Sequence, residues 1–402
     1  MTGQGLSRRG VLTGAGASVF GLASLAALKL PLFSTSDLKQ DPTSCTAKDV
    51  SSTDKKLVIS NWPEYIDEDD DGYKSTMTVF QERTGIQVSY TADVNDNNEF
   101  FAKVKNQLGA CQSTKRDMFM LTDWMAARMI EMGWIQKLDK AKVPNLDKNL
   151  ISSLQNIGWD PHRDYSAPWQ SGFTGIAYNK SLVKEVRTVG ELLTRSDLRG
   201  RVTMLTEMRD TMGLMLLADG KDPSKFTTAD WETAIGKVDA ARKRGQIRAF
   251  TGNEYINDLS AGNIAACVAW SGDVAAAGDD NLVFVAPEEG LMIWSDNMII
   301  PNLATHQGNA EKWIDYYYEP ETAAKLAAYV WYISPVAGAQ QAMEKVGPEL
   351  VKLGLIDDVA SMVENQLIFP SEDTLKSTHS FMALDEATMR QYEGEFADVT
   401  SG

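Results

Sequence analysis

Short apolar runs alternate with helical segments along the chain, and this alternation limits the fold more than any other feature. The run Leu57–Ser60 is almost entirely apolar, as in a parallel strand covered on both faces. A helix closing at Gly85 follows, then a strand and a second helix whose Phe101, Val104 and Leu108 share one face. A third strand and helix repeat the unit. The pattern predicts an α/β fold with a right-handed parallel sheet.

A second alternating set begins near Phe173–Asn179 and runs to Leu291–Ile300, and the pattern is mostly helical from Asn309 onward. Two α/β lobes joined by extended segments are expected, with the chain crossing between them twice and a ligand cleft between them. The predicted division is residues 55–168 plus 297–402 for lobe 1 and residues 169–296 for lobe 2.

Residues 1–45 have the pattern of an export signal. Arg8 and Arg9 precede a Gly/Ala/Ser/Leu stretch that has no charge until Lys29, which is typical of a twin-arginine signal. The alternative is an uncleaved membrane anchor, because Gly10–Leu28 could nearly span a bilayer. Either interpretation places the main body outside the cytoplasm, in the periplasm or at the cell surface, after a polar linker at 46–54.

The chain has three cysteines. Cys45 follows a polar stretch behind the apolar run, where a lipidated first residue of a mature chain and membrane tether could stand. Cys111 and Cys267 are then left, and the sequence has neither a CxxC motif nor a disulfide framework. Plain packing is the expectation for both thiols.

The formal charge of the chain is -16, and it becomes -18 without residues 1–45, which carry four cations and two anions. This charge argues against nucleic acid and anionic lipid as partners, and mildly favours cationic ones.

Few residues could carry catalysis. None of the three histidines has a metal-ligand spacing, and no loop that would cradle a phosphate or cofactor occurs outside the export signal. Asp67, Asp69, Asp71 and Gly72 fit the start of a calcium loop, but Thr78 stands at the twelfth position, where a glutamate is needed. A solvated acidic loop before a helix is the preferred interpretation, and neither metal nor cofactor is expected.

Aromatic residues recur where parallel strands end. Trp62 and Tyr65 follow the first strand, Trp124 and Trp270 follow two others, and Trp294 lies within a later strand. Each alone is typical of core packing. Their recurrence favours a shared cleft.

Carboxylates occupy similar positions. Glu207 and Asp210 lie on one side of a first helical turn, and Asp296 shares a strand face with Trp294. The alternative for the first two is charge complementarity at a helix N-terminus. Together with aromatic faces, these acids suit a linear alkyl cation with separated ammonium groups, whose methylenes need apolar walls.

Several segments resemble one known family. These are the segments NWPEYI (61–66), WIQKLDKAKVPNLDKNL (134–150), DYSAPWQSGFTGIAYN (164–179) and WSDNMIIPNLA (294–304). From about Leu57 to Phe381 the chain is similar to the spermidine/putrescine-binding proteins that deliver polyamines to bacterial ABC importers. The resemblance implies the two-lobed class II fold of periplasmic binding proteins, which closes like a hinge.

The resemblance also implies roles for single residues. Those that match the family's ligand slot are Trp62, Tyr65, Trp124, Glu207, Asp210, Trp270, Trp294, Asp296 and Tyr332. Trp124 stands where a tyrosine or serine is found, and the two acids at Glu207 and Asp210 are exchanged in type. Pro63 replaces a small polar residue and Phe381 a glutamine, which leaves the ligand's length and identity open.

The sequence therefore predicts a monomeric, exported receptor for a polyamine or similar cation, serving an ABC transporter permease. One alternative is a receptor for another solute, such as a betaine-like cation, an amino acid or a metal complex. A carboxylate ligand would need an arginine, and Arg209 is the candidate near the site. An extracellular enzyme acting on amines and a purely structural surface protein are the other two alternatives.

Overall fold

The computed structural model describes residues 45–401. Its strands are β1 (Lys56–Asn61), β2 (Gln87–Ala92), β3 (Met118–Thr122), β4 (Ser166–Asn179), β5 (Val202–Leu205), β6 (Ile247–Thr251), β7 (Ala266–Trp270), β8 (Leu282–Val285), β9 (Leu291–Ile299) and β10 (Thr378–His379).

The α-helices are α1 (Thr76–Thr84), α2 (Asn97–Gly109), α3 (Asp123–Glu131), α4 (Pro144–Asn149), α5 (Val189–Thr194), α6 (Met208–Ala218), α7 (Thr228–Lys243), α8 (Tyr255–Ser260), α9 (Ser271–Ala276), α10 (Gln307–Tyr317), α11 (Pro320–Val330), α12 (Ala339–Lys352), α13 (Val359–Glu364), α14 (Glu372–Lys376) and α15 (Glu386–Ser401). Short 3-10 turns lie at Lys140–Lys142, Ser152–Leu154 and Ser196–Leu198.

The predicted export signal, residues 1–45, lies outside the described residues except for Cys45. Within residues 45–401, no helix combines the length and apolar character needed to cross a membrane.

The strands form one mixed sheet in the order β2-β1-β3-β9-β4-β7-β5-β6, with β10 beside β9 and β8 beside β4. The pairs β1–β2, β1–β3, β5–β6 and β5–β7 are parallel, as predicted. The parallel sheet predicted from the first three strand–helix units is confirmed, but in the centre of the sheet β9 is antiparallel to β3 and to β4. The reason is the crossing, because a strand that leaves a lobe and a strand that returns to it run in opposite directions.

The two crossing strands are β4 and β9. β4 begins at Ser166, well before the predicted start at Phe173, and is buried at all 14 positions. Its pairing with β9 shifts register between Pro168 and Ser171. Pro168 has no backbone N–H, and Ser171 instead exchanges backbone hydrogen bonds of 2.9 and 2.8 Å with Ile333. The lobe boundaries predicted at 168/169 and 296/297 fall inside these strands and stay predictions.

The C-terminal segment contacts both lobes. α13 packs against α12, whereas β10 pairs with the lobe 2 end of β9 at Leu291. The sequence places all of 297–402 in lobe 1, yet α15 packs against α7 of lobe 2. The ring of Tyr392 stacks on Trp231 with centroids 4.1 Å apart, and Trp231 Nε1 donates a 2.6 Å hydrogen bond to Glu395. The chain therefore passes once more from elements predicted as lobe 1 to elements predicted as lobe 2, between α13 and β10.

The cysteines differ from the prediction. Cys45 and Cys111 form a disulfide, with Cα atoms 5.7 Å apart, and Cys45 is buried. The expectation that Cys111 is a packed free thiol is therefore wrong, and a thioether lipid on Cys45 would need the sulfur that the disulfide uses. A separation of 66 residues leaves no local pattern for sequence reasoning to find. Cys267 is a buried free thiol, as predicted.

The acidic loop before α1 is only partly solvated. Asp67 is buried, and it accepts hydrogen bonds of 2.6 Å from Tyr73 Oη and 2.7 Å from the Thr76 backbone. Asp69 accepts hydrogen bonds from Ser75 N at 2.8 Å and Thr78 Oγ1 at 2.6 Å. The expectation of a fully solvated loop is wrong for Asp67, whose carboxylate stabilises the start of the helix.

Candidate functional site

A cleft with about 810 Å³ of empty space, including its opening to solvent, lies where the two lobes meet. All nine residues predicted from the sequence line it, namely Trp62, Tyr65, Trp124, Glu207, Asp210, Trp270, Trp294, Asp296 and Tyr332. The structure thus brings the candidate residues together, and a ligand-binding role for each stays a prediction.

The turn after β1 delivers two aromatic side chains to the cleft. Asn61 Oδ1 accepts a 2.8 Å hydrogen bond from the Trp62 backbone, and Pro63 then fixes the turn. Glu64 follows with a φ of 52°, in the left-handed region that position i+2 of a type II turn adopts. Trp62 and Tyr65, on either side of this turn, are both buried.

The aromatic walls form a connected array across the lobes. Trp62, at the end of β1, meets Trp270, at the end of β7, edge to face with centroids 6.0 Å apart. Trp270 contacts Trp294 at 6.4 Å, and Trp294 contacts Tyr332 at 5.5 Å. Tyr332 in turn contacts Tyr65 at 5.0 Å. Separations and tilts of this kind are favourable for aromatic pairs, so the walls support one another.

Trp124 has a different environment. The guanidinium carbon of Arg209 lies 3.6 Å from the centroid of its ring, which places a cation on one face. Arg209 also lies 3.9 Å from Glu393 of α15. Burial lowers the pKa of Arg209 to about 10, so it remains charged at neutral pH. Arg209 is thus engaged by an aromatic ring and an acid, which counts against it as the receptor of a ligand carboxylate.

Asp210 is held on both oxygens. Oδ1 accepts a 2.8 Å hydrogen bond from Thr174 Oγ1, and Oδ2 accepts a 2.8 Å hydrogen bond from Trp270 Nε1. Burial raises the pKa of Asp210 to about 6, and these hydrogen bonds limit the rise. The carboxylate is therefore fixed against the aromatic wall.

Asp296 is buried between the two lobes. Oδ1 accepts a 2.8 Å hydrogen bond from Thr122 Oγ1, and the buried phenol of Tyr65 lies beside the carboxylate. Burial raises the pKa of Asp296 to about 7, the carboxylates of Asp123 and Asp210 add to the rise, and hydrogen bonding from Thr122 and Tyr65 limits it. A buried carboxylate of this kind would be stabilised by a cation.

Glu207 reaches across to lobe 1. Its Oε1 accepts hydrogen bonds of 3.0 Å from the Asn97 backbone and 2.9 Å from Asn97 Nδ2. Burial raises the pKa of Glu207 well above its ordinary value, and the carboxylates of Asp96 and Asp210 contribute to that rise.

Two further carboxylates line the cleft that sequence reasoning missed, Asp123 and Asp273. Asp273 accepts hydrogen bonds from Tyr332 Oη at 2.6 Å, Tyr255 Oη at 2.9 Å and Asn253 Nδ2 at 3.1 Å. Burial raises the pKa of each of the two acids to about 6. Both stand in the first turn of a helix that directly follows a strand, so the rule that found Glu207 and Asp210 would have found them.

The cleft as a whole is strongly acidic. Its described lining holds five carboxylates and one arginine, and the arginine is already engaged. Because burial disfavours each ionised acid, a ligand that carries positive charge would recover free energy here, and the aromatic faces would cover its apolar parts.

Residues 76–352 match the model of a family described as bacterial extracellular solute-binding protein. The spermidine/putrescine-binding periplasmic protein 1 of Haemophilus influenzae is 27% identical over 362 residues, which are 89% of this chain and 91% of that protein. The putrescine-binding periplasmic protein of Escherichia coli is 28% identical over 375 residues, which are 88% of this chain and 93% of that protein.

Solved structures show the same fold. The spermidine/putrescine ABC transporter substrate-binding protein of Streptococcus pneumoniae is 25% identical, with a TM-score of 0.66 over 86% of this chain and 98% of its own. A Treponema pallidum lipoprotein is 21% identical, with a TM-score of 0.68 over 86% of this chain and 99% of its own. This likeness concerns the fold alone. The two-lobed architecture predicted from the sequence is confirmed, and the chain belongs to the bacterial extracellular solute-binding proteins.

Proposed function

We propose that this chain is an extracytoplasmic receptor that binds a polyamine, such as putrescine or spermidine, and delivers it to an ABC importer. The observation that carries the proposal is the set of buried carboxylates in an aromatic-walled cleft, above all Asp296, whose pKa is raised to about 7 by burial.

The chemistry of a polyamine matches both parts of the cleft. A desolvated ammonium group needs a carboxylate, and the methylenes between two such groups need flat apolar surfaces. Asp296 and Asp210 supply the carboxylates, and Trp270 and Trp294 supply surfaces beside them. Several separated acids favour a ligand with more than one ammonium group over a betaine-like ligand with a single cationic centre.

The relatives support the same ligand class. The proteins of Haemophilus influenzae and Escherichia coli carry spermidine or putrescine in their names, and each aligns over almost nine tenths of this chain. Identities below 30% leave the preferred polyamine open, and the replacements at Pro63 and Phe381, both of which line the cleft, bear on that choice.

The mechanism is capture followed by closure. A polyamine enters the cleft, the two lobes close by bending at β4 and β9, and the closed monomer docks on the transporter. The receptor performs no covalent chemistry. Export through the twin-arginine signal at 1–45 is part of the proposal, whereas a lipid on Cys45 is not, since that sulfur is in a disulfide.

A thermal-shift and calorimetric titration tests this function. The chain with Cys45 retained is titrated with putrescine, spermidine, spermine, glycine betaine and γ-aminobutyrate. A ligand at about 100 times its dissociation constant should add about 2.7 kcal/mol to the free energy of unfolding. If no polyamine stabilises the protein and another solute does, the proposed ligand class is wrong.

A further inference from the structure

Asn97, the first residue of α2, is tied to the end of β3. Its Nδ2 donates a 2.9 Å hydrogen bond to Thr122 Oγ1, and its Oδ1 accepts a 3.1 Å hydrogen bond from the Thr122 backbone. Asn97 is fully buried and is not among the described residues that line the cleft. It therefore has no direct contact to offer a ligand.

Two cleft carboxylates are linked through this pair. On one side, Glu207 of lobe 2 accepts both the backbone N–H and the Nδ2 of Asn97, at 3.0 and 2.9 Å. On the other side, Thr122 Oγ1 donates a 2.8 Å hydrogen bond to Asp296. A continuous chain of hydrogen bonds thus runs from Glu207 through lobe 1 to Asp296.

The lobes meet tightly at the same place. Asp96 caps α2 because its Oδ1 accepts hydrogen bonds from the backbone amides of Asn98 and Glu99. Its Oδ2 also accepts a 3.0 Å hydrogen bond from Thr206 Oγ1 of lobe 2. Nearby, a Cβ added to Gly252 of lobe 2 would lie 2.8 Å from the Asn95 backbone oxygen. A larger residue at position 252 would push the two lobe surfaces apart, so this contact depends on a glycine that lets the two backbones approach closely.

We propose that Asn97 is a positioning residue, which orients Asp296 through Thr122 and orients Glu207 for the ligand while the lobes are in contact. The inference rests on the proposed function and deepens it. The hydrogen bonds from Asn97 favour the ionised form of Glu207 against the burial that raises its pKa, and Asn97 belongs to the opposite lobe. Lobe contact and the readiness of Glu207 are therefore one coupled event.

The test compares Asn97→Ala with a matched control, Asn309→Ala. Asn309 is an equally buried lobe 1 asparagine, and its Nδ2 donates to the backbone oxygens of Asp54 at 3.0 Å and Lys56 at 2.8 Å. Both variants should melt at a lower temperature than the unmodified protein. Only Asn97→Ala should weaken putrescine and spermidine binding, by about ten- to a hundredfold, because it removes hydrogen bonds to a charged group.

A double-mutant cycle separates positioning from general support of the fold. Asn97→Ala is combined with Glu207→Gln, and affinities are measured by calorimetry. If Asn97 acts through Glu207, the double variant should lose clearly less affinity than the two single losses multiplied together. If the double variant loses as much affinity as the two single losses multiplied together, the proposal is overturned. It is also overturned if Asn309→Ala loses as much affinity as Asn97→Ala.

Small-angle scattering supplies a readout that needs no ligand. The radius of gyration of free Asn97→Ala should exceed that of both the unmodified protein and Asn309→Ala, because the lobes lose a contact. If the unmodified protein binds no polyamine, the proposed function fails and the scattering alone decides the role of Asn97. An unchanged radius overturns that role, as does unchanged putrescine affinity in a protein that binds it.

Discussion

The buried acids of the cleft predict that ligand affinity falls as the pH is lowered from 8 to 6. Burial raises the pKa of Asp296 to about 7 and that of Asp123, Asp210 and Asp273 to about 6. The primary ammonium groups of putrescine, with pKa values of about 10 like that of lysine, stay charged throughout this range. The cation binds the ionised acids, so protonation of the acids competes with binding.

The size of the effect follows from the ionised fractions. An acid of pKa about 7 is ionised in about nine tenths of molecules at pH 8 and about one tenth at pH 6, so Asp296 alone should weaken binding about tenfold. Asp123, Asp210 and Asp273 are each about half ionised at pH 6, which adds a factor of about two for each. The apparent Kd should therefore rise by between about ten- and eightyfold.

Calorimetry at pH 6, 7 and 8 measures this change. Repeating the pH 7 titration in two buffers of different ionisation enthalpy also counts protons, and about half a proton should leave Asp296 on binding. The stability of the free protein should change in the opposite direction. These acids hold more protons when folded than when unfolded, so the free energy of unfolding should decrease as the pH rises from 6 to 8.

Two variants decide the assignment. Asp296→Asn keeps the shape of the side chain but cannot ionise, so it should bind more weakly at pH 8. The rise of its Kd between pH 8 and pH 6 should be about ten times smaller than that of the unmodified protein. Asp280→Asn, at an exposed position, is the matched control and should behave like the unmodified protein. A Kd that is constant between pH 6 and 8, or a full pH dependence in Asp296→Asn, would refute the reasoning.

Two other predictions concern the fold and the cleft wall. Replacing Cys45 and Cys111 together by serine should lower the free energy of unfolding by about 2 to 4 kcal/mol, measured by denaturant titration, since the disulfide closes a long loop; an unchanged midpoint would contradict this. Gly172→Ala should abolish most ligand affinity, because its Cβ would lie 2.5 Å from Trp294, whereas Gly236→Ala, with no atom within 4 Å, should bind normally by calorimetry.

The candidate site was largely predictable because its residues follow a positional rule. Strand ends of an α/β lobe gather at one edge of the sheet, so aromatic and acidic residues just after a strand are expected to meet. Trp62, Trp270 and Glu207 were found in this way. Asp123 and Asp273 obey the same rule. They stand beside Trp124 and near Trp270, and the strand-end rule was applied there to the tryptophans alone.

Features that depend on distant contacts were not predictable. β6 was missed because the short segment Ile247–Thr251 includes an exposed arginine at 248 and has little apolar alternation. The early start of β4 depends on its pairing with β9, and the disulfide depends on where α2 ends relative to Cys45. The role of Asn97 was equally hidden, because an asparagine at a helix start is ordinary until its partner in the other lobe is known.

The third crossing of the chain, between α13 and β10, has a mechanical consequence. Two adjacent strands such as β4 and β9 can flex about their common direction, but on their own they would also let one lobe rotate like a propeller blade against the other. A third connection, anchored by the stack of Tyr392 on Trp231, would be stretched by such rotation. We therefore expect opening to follow a single jaw-like movement that returns the acids on the two lobes to the same relative positions on every cycle.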